Sequence, residues 1–470
     1  MHLSFLGALS LSFIVLSCCS PDPPLLPGSG TASLHHSNVA GNHHHRPEST
    51  RLYPYGRGFR SLYYKNRKSS DLLDTFTVRS LLDTVDSAAM TSLKIVNVND
   101  YGAVGDGRDD SQAFERAWRV ACAAGSAALV VPSGRTYNLK PVIFSGPCKP
   151  GLVFKVYGTI RAFDNTAYYA QDKAHWLMFE NLNNFRVEGD GGSIDGNGQR
   201  WWQNSCKTNP KLPCRDAPTA LTFHGCNNLR VTDLSVKNAQ QMHLLFEDCT
   251  SVQAVNLSIT APEESPNTDG IHVSRTQNIA IQNCVIATGD DCISIVGGSS
   301  NVQATDITCG PGHGISIGSL GAGDSQDYVS DVLVTRATLS GTTNGVRIKT
   351  WQGGSGYAKS IKFQDIVMKN VANPIIIDQN YCDQKTKCQT QASAVQVSNV
   401  VYSDIRGTSA SEEAIIFNCS KSHPCQGITL QDINLRTSTS SGNKAAEALC
   451  SNVNFIQSEG VFPQCSKITS

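Results

Sequence analysis

The chain has 470 residues, of which 40% are hydrophobic and only 17% charged, so there is ample apolar material for a core. Lys+Arg and Asp+Glu both number 39, which leaves a formal net charge of zero. That balance argues against a dedicated nucleic-acid binder, which usually carries a strong basic excess.

The first element is a targeting segment. Leu3 to Leu16 is almost wholly apolar and is followed by small residues from Ser17 to Ser20, so residues 1–20 read as a secretory signal peptide, even though the n-region offers only His2. The run is too short to span a bilayer comfortably, and no second long apolar run follows, so no membrane span is expected in the mature protein. Residues 21–92 are rich in Pro, Ser, His and Gly and then turn basic, with Arg46, Arg51, Arg57, Arg60, Lys65, Arg67 and Lys68 against Glu48. So little apolar surface reads as a flexible or propeptide-like extension. A basic tether to acidic wall polysaccharide is the functional alternative. A metal site at His43, His44 and His45 is disfavoured, because no partner ligands stand at defined spacing.

From Leu93 the texture becomes uniform, and residues 93–470 are expected to form the catalytic domain. One helix is predicted over Ser111 to Ala124, with Ala113, Phe114, Ala117, Trp118 and Ala121 on one face and Asp110 or Ser111 as N-cap. Gly105-Asp106-Gly107 with Asp109-Asp110 lacks the ligand series of a calcium or phosphate loop and reads as turn chemistry. Beyond it, three-residue apolar–any–apolar cores recur, beginning at Leu244, Ile271, Ile293, Ile315, Val346, Ile375 and Ile415. Their starts are 27, 22, 22, 31, 29 and 40 residues apart. A second motif lies between them, as in Val252 to Ile259, Ile279 to Ile286 and Ile361 to Met368. Short strands at this period predict an all-β fold, a parallel β-solenoid preceded by one short helix. A leucine-rich repeat lacks its Leu/Asn consensus here, and a β-sandwich would not keep its strands in phase.

Cysteine usage fits an oxidising compartment. Of 17 Cys, Cys18 and Cys19 would leave with the signal, and 206/214, 292/309, 382/388 and 419/425 lie close enough for local disulfides. The remaining number, 15, is odd, so at least one thiol should stay unpaired, and Cys284 is the candidate. No Cys/His set has zinc-ligand spacing. Sequons stand at Asn256 and Asn418.

Phase singles out the acids. Asp269, Asp291 and His313 each stand two residues before a core isoleucine, so in-register rungs would stack them about 4.8 Å apart. Stacked carboxylates repel and desolvate one another, which costs stability without a task. Strand alternation would send Asp290 elsewhere than the Asp269/Asp291 pair. An inverting glycosidase needs such a division, with acid and base roughly 6.5–9.5 Å apart around a water. In that scheme Asp290 protonates the leaving oxygen, Asp269 and Asp291 activate the water, and His313 beside Asp291 tunes the protonation. Crowding should raise the pKa of one carboxyl enough for acid duty. Arg347 and Lys349, alternating with Val346 and Ile348, face outward together and suit a carboxylated substrate.

Asn267-Thr268-Asp269-Gly270, Gly289-Asp290-Asp291, Gly312-His313-Gly314 and Arg347-Ile348-Lys349 together resemble the four signature blocks of the polygalacturonases, glycoside hydrolase family 28. Tyr381 is similar to a family active-site tyrosine, and the stretch from Asn97 to Trp118 is similar to the start of plant members. The resemblance spans roughly Leu93 to Ser470. It implies a right-handed parallel β-helix, inverting hydrolysis of α-1,4-galacturonosyl links in pectic homogalacturonan, and no cofactor or metal. It also implies that Asn267, Arg347, Lys349 and Tyr381 bind substrate, and it points to a secreted, monomeric cell-wall enzyme. The extension at 21–92 is longer and more basic than most members carry. A calcium-dependent pectate lyase and a non-catalytic wall-binding solenoid are the competing readings. Endo versus exo attack and tolerance of methyl-ester or xylose substituents stay open.

Overall fold

A computed structural model describes residues 93–383, 388–438 and 445–465; the predicted signal peptide and basic extension lie outside them. Among the described residues, short strands wind into two parallel sheets, one of eleven strands taken strictly in chain order. This is the expected parallel β-helix, right-handed as parallel crossovers almost always are.

The three-residue cores set the rungs. Leu244, Ile271, Ile293, Ile315, Val346, Ile375 and Ile415 are paired in register from strand to strand. The residues two further on form a second inward column, from Phe246 through Val273, Ile295, Ile317, Ile348 and Ile377 to Phe417. Both columns are fully buried. The residue between them points outward on every rung, so His272, Ser294, Ser316 and Arg347 share one line.

Toward the N-terminus the second column becomes aromatic. Phe144, Phe179, Phe223 and Phe246 lie in register with successive ring centroids 4.9, 5.5 and 5.4 Å apart. The open end of the solenoid is covered by helix α1 (Ser111–Ala124), which buries the predicted face. Its Trp118 packs 5.0 Å from Phe144 and 5.7 Å from Phe179, and its indole N–H donates to the Ser145 carbonyl. A helix over an end rung shields edges that would otherwise pair with another chain. Asp110 stands at the N-cap position without capping the helix. Its carboxylate turns back to accept the backbone N–H groups of Val104 and Gly105, while Asp109 accepts that of Ser111. The Gly105–Asp110 stretch is therefore engaged in local turn chemistry.

The second motif bends at residues in the left-handed region, such as Asn256 (φ 56°) and Asn283 (φ 52°). Asn and Asp tolerate that region better than most residues, and here they also bond between rungs. Asn283 Nδ2 donates to Asn256 Oδ1 at 2.7 Å, and Asn256 Nδ2 donates to Asp233 Oδ1 at 3.0 Å. At the other sequon, Asn418 Nδ2 donates to Asp378 Oδ1. In both sequons the nitrogen that would carry a glycan is occupied by an inter-rung bond.

All four local cysteine pairs are disulfides, and Cys122–Cys148 and Cys450–Cys465 add two more that sequence proximity had not suggested. Cys284 is a free thiol as expected. Cys226 and Cys249 are free as well, so the minimum of one unpaired thiol becomes three among the described residues.

Phe179 is the hub of the aromatic end, touching Trp118, Phe144, Phe154, Phe185 and Phe223. Phe179→Ala should lower unfolding stability by about 3–5 kcal/mol, seen as a lower denaturant midpoint. A loss below about 1 kcal/mol would show that the stack repacks around the gap.

Candidate active site

Three turns feed the same edge of the eleven-stranded sheet, ahead of Ile271–Ser274, Ile293–Ile295 and Ile315–Leu320. They carry Asp269, the Asp290–Asp291 pair and His313. The glycines of these blocks are required by close approach. A Cβ on Gly289 would lie 2.0 Å from the Ser265 carbonyl oxygen, and one on Gly312 (φ 139°) 2.6 Å from that of Asp290. The Thr268 hydroxyl accepts the Gly289 N–H, and the Cys292–Cys309 disulfide fastens the residue next to Asp291. Backbone N–H groups of Gly270 and His313 donate to the carbonyls of Asp291 and Asp290 at 2.9 Å each. The turns are thus locked to one another.

The side chains group differently from the expected division. An oxygen of Asp290, an oxygen of Asp291 and a ring nitrogen of His313 all lie within 4.8 Å of one another. His313 Nδ1 is 2.9 Å from Asp290 Oδ1, so the histidine's direct partner is Asp290, with Asp291 also close by. The reason is local. Residues 289–292 form a bend ahead of the strand, and strand alternation does not govern where Asp290 points.

Asp291 is 1% exposed and held by three donors. Ser316 Oγ and an Arg347 nitrogen reach its Oδ1 at 2.7 and 2.9 Å, and Lys349 Nζ reaches its Oδ2 at 3.1 Å. Arg347 Nε also donates to Ser316 Oγ. Both cations face outward together as predicted, and there they neutralise an enzyme carboxylate, Asp291. Asp269 has weaker support, its Oδ2 lying 3.2 Å from His272 Nδ1. Asn267 approaches Asp290, with Nδ2 3.5 Å from Oδ2. Tyr381 packs against Trp351 at 5.4 Å, and the Lys349 ammonium lies 5.5 Å from its ring centre.

The three acids therefore differ in charge preference. Burial pushes the Asp269 pKa up and the neighbouring Asp290 charge adds to this, while the His272 hydrogen bond and charge offset part of the rise. Burial also opposes ionisation of Asp290, but the His313 hydrogen bond and charge, with Lys349 and Lys207, pull its pKa well below the carboxylate range. Asp291 is likewise lowered, because Lys349 and Arg347 outweigh its burial. His313 is raised: burial works against its charge, and Asp290 and Asp291 overcome it. Crowding does raise one carboxyl, but that carboxyl is Asp269.

Asp290, Asp291 and His313 are also close enough to hold a cation, but Arg347 and Lys349 already supply positive charge at Asp291. Ser316 and His272 were not singled out from the sequence as site residues. Their phase with Arg347 was the signal that could have found them. Lys207 lies in a non-repeating connection, where periodicity carries no signal.

Residues 122–461 match the family described as glycosyl hydrolases family 28. The chain is 54% identical over 421 residues to polygalacturonase QRT2 of Arabidopsis thaliana, covering 89% of this chain and 91% of that one. It is 55% identical over 389 residues to a polygalacturonase of Malus domestica, covering 82% of each. In fold it superposes on an exopolygalacturonase from Thermotoga maritima with a TM-score of 0.64 at 20% identity, covering 78% of this chain and 90% of that one. With a family match across most of the solenoid and relatives above half identity over most of their length, this chain belongs to glycosyl hydrolases family 28.

Proposed function

We propose that this family 28 hydrolase is a secreted, monomeric wall enzyme that cuts α-1,4-galacturonosyl links of pectic homogalacturonan with inversion of configuration. The observation that carries the reading is the carboxylate cluster Asp269–Asp290–Asp291 beside Arg347 and Lys349. Three acids serve bond cleavage, and two cations at one edge suit a polymer that carries a carboxylate on every unit. The relatives' names supply the substrate class. The disulfides suit an extracellular setting.

Asp290 is the proposed general acid. It is ionised at rest, and its proton is held on His313 at 2.9 Å, from which it passes through Asp290 to the leaving oxygen. Asp291 accepts the proton of the attacking water, while Asp269 orients that water. Substrate carboxylates compete for Arg347 and Lys349, which weakens their hold on Asp291 and makes it a better base. Asn267 and Tyr381 complete the substrate contacts. The raised Asp269 carboxyl favours a second reading, in which Asp269 is the acid and Asp290 the base. Added azide should restore turnover when the base is replaced by Ala, whereas loss of the acid should spare substrates with an activated leaving group. Under the first reading azide rescues Asp291→Ala and not Asp290→Ala.

The approach of Asp290 to within 4.8 Å of Asp291 is closer than the roughly 6.5–9.5 Å usual for inversion. The anomer of the first product, followed by NMR, therefore decides the stereochemistry. A β-anomer from an α-link is expected, and an initial α-anomer means retention. Reducing ends should appear from polygalacturonate without an unsaturated product, and activity should persist in chelator. Unsaturated ends with chelator sensitivity mean a lyase instead.

Replacing two adjacent acids should move stability in opposite directions. Asp291→Asn leaves Arg347 and Lys349 buried without a carboxylate and should cost about 3–5 kcal/mol. Asp269→Asn removes a carboxylate whose burial is penalised, so it should raise the melting temperature at neutral pH. A raised pKa means that the folded state favours the proton. The gain should therefore vanish at low pH, where wild-type Asp269 is protonated in both the folded and unfolded states. A destabilising Asp269→Asn at neutral pH would contradict the electrostatic account. His313→Ala should lower kcat by about 100-fold or more, and the alkaline limb of the pH profile should move to lower pH.

A further inference from the structure

We propose that His243 is a positioning residue for the reaction: its ring clips the backbone of Asp269 to the preceding rung and so sets where that carboxylate stands against the attacking water. This inference rests on the role proposed above for Asp269.

His243 directly precedes the strand Leu244–Glu247, whose Leu244 pairs in register with Ile271. Its backbone N–H donates to the Asp269 carbonyl at 2.8 Å, an ordinary bond between rungs. Its ring Nδ1 lies 3.0 Å from the same oxygen. A carbonyl can only accept, so Nδ1 carries the proton, and the Asp269 carbonyl takes two donors from one residue. The other end of the ring is engaged as well. Nε2 accepts the Ala239 N–H at 3.3 Å, while the Thr260 carbonyl, 3.2 Å from Nε2, takes the Asn238 N–H at 2.8 Å. The side chain is fully buried, and burial pushes its pKa down to about 4, so the neutral imidazole makes these bonds.

The repeat itself does not call for a histidine here. The residues at the same place ahead of Ile271, Ile293 and Ile315 are Gly270, Cys292 and Gly314, and none of them offers a ring donor to its neighbour. The added donor falls on the rung of Asp269. That carboxylate has a single side-chain partner among the described residues, His272 at 3.2 Å, whereas Asp291 has three donors. Backbone placement therefore has the larger share in fixing Asp269. The Ala239 end of the ring is anchored in turn. The Ala239 carbonyl accepts Trp202 Nε1 at 3.0 Å, and the Asn238 carbonyl accepts the Gly198 N–H at 2.9 Å, which ties the turn to the short helix Gln199–Gln203. The imidazole joins that support to Asp269. A shift of about 1 Å in a catalytic group can cost about a hundredfold in rate.

The test is steady-state kinetics on polygalacturonate, with a double-mutant cycle. His243→Leu, which fills the space without either nitrogen, should lower kcat about 10- to 100-fold while KM stays within about twofold. His243→Asn, whose amide N–H stands in for that of Nδ1, should recover most of kcat. His243→Gln, whose amide lies nearer the place of Nε2, should not. Adding His243→Leu to Asp269→Asn should cost little further, because a residue that acts through Asp269 then has nothing left to position. An unchanged kcat in His243→Leu, equal rates in the Asn and Gln variants, or a loss that adds in full to that of Asp269→Asn each overturns the positioning role. Should His243→Leu fail to fold, the Asn and Gln variants decide. A wild-type kcat in Asp269→Asn means instead that the role proposed for Asp269 has failed, and the positioning role falls with it.

Discussion

The in-register parallel stack is the constraint on which the rest depends. Two inward columns, one through Ile271, Ile293 and Ile315 and one through Val273, Ile295 and Ile317, fix the register, since a slip of one residue would turn each buried column outward. Once that register is set, turns entering the same edge must deliver their residues side by side. Asp269, the Asp290–Asp291 bend and His313 meet because their rungs are neighbours. Arg347 and Lys349 reach Asp291 from two rungs further on along the outward line through Ser316.

Within that frame each acid is answered differently. Asp291 is buried between Arg347 and Lys349 and depends on them, since a buried charge without a partner costs several kcal/mol. Asp290 pairs with His313 at 2.9 Å. Asp269 has a single side-chain partner among the described residues, His272, and burial together with the Asp290 charge pushes its pKa up. Like charges held this close titrate as a group. Carboxyls whose pKa values are pushed apart by their surroundings are the arrangement that the proposed acid and base roles call for.

Much of this was legible in the sequence because a solenoid writes its geometry as a period. The isoleucine cores gave the rungs, the Ala113–Ala121 face gave the helix, and four cysteine pairs were near enough to read directly. The parts that escaped are those where the period stops. Asp290 sits in a bend, so alternation misdirected it, and the direct His313 contact to Asp290 was not foreseen beside the expected one to Asp291. Cys122–Cys148 depends on α1 docking against the following strands, a tertiary event. Asp110 looked like a cap because its position is right, but its carboxylate serves Val104 and Gly105. Lys207 lies in a long connection with no period at all.

The central claim is that the cluster splits its carboxyl pKa values, with Asp269 pushed up by burial and Asp290 and Asp291 held down by the cations and His313. A carboxyl carbon-13 NMR titration of ligand-free protein, with signals identified through single Asp→Asn replacements, tests it most directly. The account predicts that the Asp269 signal titrates above the ordinary carboxylate range while those of Asp290 and Asp291 stay below it. An Asp290 signal titrating highest of the three would contradict it.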